Sequence, residues 1–254
     1  MEKNDISRFS GWEILLALVL LTRLPIPPLP DPVFERQSNS VWAFPLVGLT
    51  VSALACLIGA VCFHLGLHPV AAAGIIVALT IAATGAMHED GLADTADGLW
   101  GGTDRDRRLE IMKDSHIGTY GVLALILSVL LRVTAISVLI QTVGFAPVLA
   151  GAIWSRALMP PVMAGLPHAR SSGLSHSVGQ PPWPCWVTGL GLGLVLMVLL
   201  TGFSSLGPAM LAAMVAGGVA WIARSKIGGQ TGDILGATQQ AAEIVFLLAL
   251  AAQV

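Results

Sequence analysis

Apolar residues run along this chain in long blocks and do not alternate with polar ones. The blocks cover residues 41–63, 70–87, 117–140, 143–166, 186–205, 207–223 and 234–252. Each is close to the ~20 residues that a helix needs to cross a hydrocarbon core. An earlier block, Trp12 to Leu24, is shorter and ends in Arg23-Leu24-Pro25-Ile26-Pro27. It predicts an interfacial or re-entrant helix. The pattern therefore predicts an all-α fold: a polytopic transmembrane helical bundle with about seven full spans, one short N-terminal helix and a polar cap. A crossing by residues 12–24 would make eight spans.

Polar residues gather between the blocks. Residues 88–116 hold Glu89, Asp90, Asp94, Asp97, Asp104, Asp106, Glu110 and Asp114, which is more than half of the 15 acids. Smaller polar loops lie at 167–185 and 224–233. On this count two spans separate 88–116 from 167–185, and four separate it from 224–233. An even number returns the chain to the same side, so all three Lys/Arg-bearing loops share one face. The positive-inside rule makes that face cytoplasmic. The opposite connections, near 64–69, 141–142 and 205–207, contain no Lys or Arg. The reading is a single membrane domain over 1–254, with one motif loop at 88–116 and a second motif at 224–243.

Composition agrees with the pattern. Of 254 residues, 55% are hydrophobic and only 11% are charged, where ~25% charge is usual for a soluble protein. So few charges exclude a cytosolic enzyme, a disordered chain and a nucleic-acid binder. The net charge of −2 gives no general attraction to anionic partners. Cys56, Cys62 and Cys185 form no metal-binding spacing and read as small buried hydrophobes. Glu2, Lys3, Asp5 and Arg8 open the chain, and no small-x-small site follows the first apolar run, so no cleaved signal is expected.

Within the acidic stretch, Asp90, Asp94 and Asp97 stand at i, i+4 and i+7. On a helix these carboxylates share one face. Like charges so arranged repel unless cations sit among them. Carboxylate oxygens suit Mg²⁺ or Mn²⁺, and Mg²⁺ commonly takes few protein ligands together with substrate phosphates. A solvated acidic turn would not need the regular spacing, nor Gly91 and Gly98 that bracket it. His88 and Glu89 precede the motif, as a candidate ligand or base and a further candidate ligand. Arg105, Arg107, Arg108 and Lys113 follow on an amphipathic pattern. They are candidate phosphate clamps, although ordinary positive-inside flanking accounts for such residues equally well.

The second motif runs Gly228-Gly229-Gln230-Thr231-Gly232-Asp233. Asp233 opens an apolar span, and as a helix cap it would need no further role. The glycines before it leave backbone N–H groups free to approach a phosphate. Glu243 lies deeper in the same span and on another face. Arg156 and Arg132 are intramembrane cations. Arg156 is read as reaching substrate phosphate or pairing with Glu243, and Arg132 as snorkelling or pairing structurally.

These motifs resemble the cobalamin synthase family. The resemblance rests on Thr22-Arg23-Leu24-Pro25-Ile26-Pro27, Phe44-Pro45-Leu46-Val47-Gly48, the run from His88 to Gly121, and Gly228 to Ala237 with Glu243. Glu89 departs from the family pattern, which usually has a nonacidic residue there. The resemblance implies attack by α-ribazole or its 5′-phosphate on the activated phosphoryl of adenosylcobinamide-GDP, so that GMP leaves and adenosylcobalamin or its phosphate forms, with a requirement for Mg²⁺. It further implies that Asp90, Asp94 and Asp97 hold metal and that Asp233 completes that site or deprotonates the ribazole hydroxyl. Lys226 then joins the arginines on the phosphates. The setting implied is the bacterial cytoplasmic membrane, with a homo-oligomer or other cobalamin-pathway enzymes as partners. A transporter is the competing class, but most acids sit in one loop and not at the bilayer midplane. The CDP-alcohol phosphotransferases are a neighbouring class. Their Asp-Gly-x-x-Ala-Arg signature fails at Asp94, where the arginine would stand.

Overall fold

The computed structural model describes residues 9–254. The charged residues that open the chain lie outside them. The described residues are helical between their connections, and the one β-like contact among them is an isolated bridge between His168 and Gln230.

Helix α1 covers Gly11–Leu21. Ser10 and Glu13 form a capping box at its start, satisfying two otherwise orphaned donors. At 11 residues it is too short to cross a bilayer, as the sequence predicts. Five apolar blocks become uninterrupted helices: α2 (Phe44–His64), α6 (Thr119–Thr142), α10 (Trp183–Thr201), α11 (Leu206–Ile227) and α12 (Gly232–Ala251). All five are long and apolar enough to cross a membrane. Their outer faces leave Leu57, Leu127, Leu130, Leu199 and Trp221 exposed, as lipid contact requires.

The other two expected spans are broken, which corrects the count of seven. Block 70–87 forms α3 (Pro69–Thr84), then turns by 88° into α4 (Met87–Gly101). Gly85 and Ala86, both in left-handed backbone, make the turn. Block 143–166 forms α7 (Ala146–Ala157) and α8 (Met159–Gly165), separated at Leu158. Pro160 and Pro161 follow the break. Neither can donate a backbone hydrogen bond, and their rings crowd the carbonyls one turn earlier. Five helices thus qualify as spans, or six if the bent α3–α4 pair is one. Helix α7 is buried from Pro147 through Ala157 at nearly every residue and forms the middle of the bundle, against α2, α10 and α12.

The three polar segments nevertheless meet at one end. Arg105 donates to the carbonyls of Ile227 and Ala169, and Arg108 to that of Lys226. At the other end Phe63 meets Phe145, and Leu139, Leu200 and Leu250 line one shallow cleft. The expected loop at 88–116 is itself mostly helix: α4, a turn, then α5 (Arg105–Ile111).

Candidate active site

Two motif glycines bring the acids together. A Cβ on Gly91 would lie 2.8 Å from the backbone oxygen of Asp233, and one on Gly236 would lie 3.1 Å from that of His88. Helices α4 and α12 therefore touch backbone to backbone. This contact sets Asp90 and Asp94 beside Asp233. Asp94 has Asp233 and Asp90 as like-charged neighbours, with Arg170 as the opposing charge. Asp233 does not cap α12. Thr231 does, through its hydroxyl and the Ile234 amide, so the Asp233 carboxylate is left for other partners. Thr231 donates to it at 3.2 Å, and Arg170 Nη1 lies 3.2 Å away.

Arg170 arrives on the segment between α8 and α9 (Leu174–Val178). That segment is tied to the start of α12 by reciprocal backbone bonds, Gln230 N–H to Pro167 and Ala169 N–H to Gln230. Gly229 permits the approach, because its Cβ would strike the Pro167 oxygen. The Gln230 side chain bonds both Ser175 and His168 Nδ1, the latter at 2.9 Å. Burial, and then the neighbouring His176, pull His168 below the ordinary histidine range. Arg170 Nη2 reaches the Leu109 carbonyl at 3.4 Å, while its Nε has no partner among the described residues.

Two hollows meet at Arg170. One has an apolar wall of Leu20, Leu21, Phe44, Met159 and Met163, facing His88, Asp90 and Asp233. The other is an open groove of mixed charge, carrying Arg105 and Lys113 with Asp106 and Glu110. His168, Arg170, Ser172 and His176 border both.

Several expected site residues stand elsewhere. Both oxygens of Asp97 accept backbone N–H groups, from Gly118 at 2.7 Å and Gly121 at 2.9 Å. They thereby cap the start of α6 and turn from Asp90 and Asp94. Glu89 turns inward and accepts from Arg132 at 3.0 Å. It neither lines the cavity nor meets water. Arg156 is buried beside Glu243 at 3.8 Å, which decides between its two expected roles. Arg108 spends its donors on the carbonyls of Gly102, Thr103 and Lys226. Lys226 donates to Leu99 at 2.7 Å and lies over the Trp100 ring. Gly228, at φ +81°, ends α11 in left-handed backbone. It and Gly229 serve chain direction and close packing, where a phosphate cradle was expected. Arg107 is exposed and pairs with Glu110. Lys113 is exposed at the rim of the groove. His88 is buried against the cavity, with Nε2 unpartnered among the described residues.

Arg170 is the site residue that sequence reasoning missed. Only its place in the polar segment 167–185 pointed to it, through the span parity that put this segment beside the acids.

The family model described as cobalamin-5-phosphate synthase matches residues 13–251, from within α1 to the last turn of α12. The chain belongs to that family. A protein of Bradyrhizobium diazoefficiens named adenosylcobinamide-GDP ribazoletransferase is 42% identical over 242 residues, covering 94% of this chain and 93% of its own. Proteins of the same name from a Sinorhizobium species and from Mesorhizobium japonicum are 41% and 38% identical, over 98% and 93% of this chain and 96% and 91% of theirs. No solved structure matches. As a member of the cobalamin-5-phosphate synthase family the chain is a transferase, and both motifs lie inside the matched region.

Proposed function

We propose that this chain joins adenosylcobinamide-GDP to α-ribazole or its 5′-phosphate, in the last steps of cobalamin synthesis. A ribazole hydroxyl oxygen attacks the cobinamide-linked phosphorus. The bond from that phosphorus to the oxygen of GMP breaks, and the hydroxyl proton leaves. The observation that carries this reading is the meeting of Asp90, Asp94 and Asp233 with Arg170 between an apolar-walled cavity and an open polar groove. Phosphoryl transfer needs positioning and charge neutralisation above all, and such a junction provides both.

The donor chemistry fits Mg²⁺. As the side chains stand, no three acids or imidazoles among the described residues converge closely enough to hold an ion by themselves. Hard oxygen donors in pairs suit a Mg²⁺ ion that shares its shell with substrate phosphates. Asp90, Asp94 and Asp233 would hold it, and bound there it would neutralise charge on the phosphate oxygens. Arg170 binds the phosphate whose bond to GMP breaks. Lys113 and the groove receive the leaving nucleotide, and Asp233 accepts the hydroxyl proton where Asp90 and Asp94 hold the metal without it. The apolar wall suits the aromatic base of ribazole. The Lys/Arg-bearing end of the bundle faces the cytoplasm, in the bacterial inner membrane.

The test is Mg²⁺-dependent GMP release by the purified chain in detergent. Wild type releases GMP only with both substrates and Mg²⁺. Asp94→Asn abolishes release while the protein stays folded. Near-normal release by that variant overturns the assignment, and absence of release by wild type favours a transporter.

A further inference from the structure

Glu89 stands inside the acidic motif yet belongs to another structure. Its Oε1 accepts from Arg132 Nη2 and Gln240 Nε2, both at 3.0 Å. Arg132 also faces Glu243 at 3.9 Å, and Glu243 faces Arg156 at 3.8 Å. The four residues are each more than nine-tenths buried, and their charges cancel. Removing one partner would leave an uncompensated charge in a low-dielectric interior. An Arg inside this bundle therefore requires an acid within reach, and Glu89 and Glu243 both meet that need for Arg132.

The pair also has a mechanical position. Helix α4 leaves α3 at 88° across Gly85 and Ala86. Ala86 has φ +60°, a conformation that its Cβ disfavours. Such backbone persists where surrounding contacts over-determine it. Glu89 lies on the first turn after this kink and ties α4 to α6 through Arg132. Asp90 is the next residue, and Asp94 follows one turn later.

We infer that Glu89 is a positioning residue: its buried pair with Arg132 fixes α4 beyond the Ala86 kink and so holds Asp90 and Asp94 toward Asp233. This rests on the reading of those three acids as the cation and phosphate site.

The experiment uses the full chain in detergent, with Mn²⁺ alone as probe followed by electron paramagnetic resonance, and GMP release as a second readout. Glu89→Gln and Arg132→Gln each weaken Mn²⁺ binding by about 10-fold, the usual scale for a residue that orients a ligand. Each lowers kcat by the same order and leaves KM for adenosylcobinamide-GDP within about 2-fold. The double variant restores charge balance and recovers Mn²⁺ affinity to within about 3-fold of wild type. Wild-type affinity in both single variants overturns the inference. So does a double variant as weak as the weaker single, the result expected if Glu89 ligated the ion directly. Should a single variant fail to fold, the double decides: near-wild-type binding supports the inference and lost binding in a folded protein overturns it. Wild-type Mn²⁺ affinity in Asp94→Asn would instead sink the underlying site reading.

Discussion

Gly91→Ala tests the backbone contact on which the site depends. The added Cβ would lie 2.8 Å from the Asp233 oxygen and 3.0 Å from its Cα, whereas ordinary contact begins near 3.4 Å. Both obstacles are backbone, so no rotamer change can relieve them, and α4 and α12 must part by roughly 0.6 Å or more at this point. Overpacking of this kind costs about 1–3 kcal/mol. Alanine in a helix interior returns about 0.5–1 kcal/mol of propensity relative to glycine. The net loss of stability is therefore about 0–2.5 kcal/mol. Activity responds far more strongly, because a displacement of ~1 Å between reacting groups costs about 100-fold. GMP release and thermal unfolding, measured on the same detergent preparation, separate the two effects. Gly101→Ala is the control, since its Cβ would find only the Ile111 side chain at 3.8 Å; it should keep full turnover. Wild-type turnover in Gly91→Ala would refute the claim that this contact positions the carboxylates.

Two further predictions separate chemistry from scaffolding. Arg170→Gln should lower kcat by about 100-fold, the scale of a lost transition-state donor. It should also tighten Mn²⁺ binding without substrate, because the cation beside Asp233 is gone; unchanged kcat would remove Arg170 from the site. Asp97→Asn should leave Mn²⁺ affinity intact and lower stability by about 1–3 kcal/mol, since an amide cannot accept both N–H groups at the start of α6. Lost Mn²⁺ affinity with unchanged unfolding would return Asp97 to the metal ligands.

Periodicity foresaw which acids share a face, but not what that face meets. Asp90, Asp94 and Asp97 do lie on one side of α4. Seven residues of helix also separate the first from the last by roughly 10 Å, enough to change neighbours. Asp90 and Asp94 meet α12, while Asp97 meets the start of α6. The long apolar blocks announced five spans because length and hydropathy suffice for an uninterrupted helix. They hid the two broken ones, since an apolar average does not register Pro160-Pro161 or a left-handed Ala86. Glu89 points away from that face for a similar reason: neighbours in sequence point 100° apart on a helix, and only tertiary packing reveals that Arg132 waits on that side.

The fate of the basic residues sharpens the argument for a divalent cation. Arg105, Arg108 and Lys226 were expected on phosphates, yet they donate to carbonyls in the last turns of α11 and α4, or just beyond α4. Helix C-termini carry unpaired carbonyls and partial negative charge, so cations there are already employed. Close to the acids this leaves Arg170 alone among the described residues, itself held by Asp233. With its three carboxylates ionised, the junction is two charges negative. A pyrophosphate esterified at both ends brings two more. At ~5 Å and an effective dielectric of ~20, each like-charge pair costs on the order of 3 kcal/mol. The protein alone would therefore repel the diphosphate that the proposed reaction requires. One Mg²⁺ ion would cancel the junction's charge and a second would reverse it, and the same repulsion predicts that the diphosphate substrate and the metal bind with strong mutual dependence. Equilibrium binding of GDP to the purified chain, with and without Mg²⁺, measures it. Equal GDP affinity in both conditions would remove the electrostatic case for the metal.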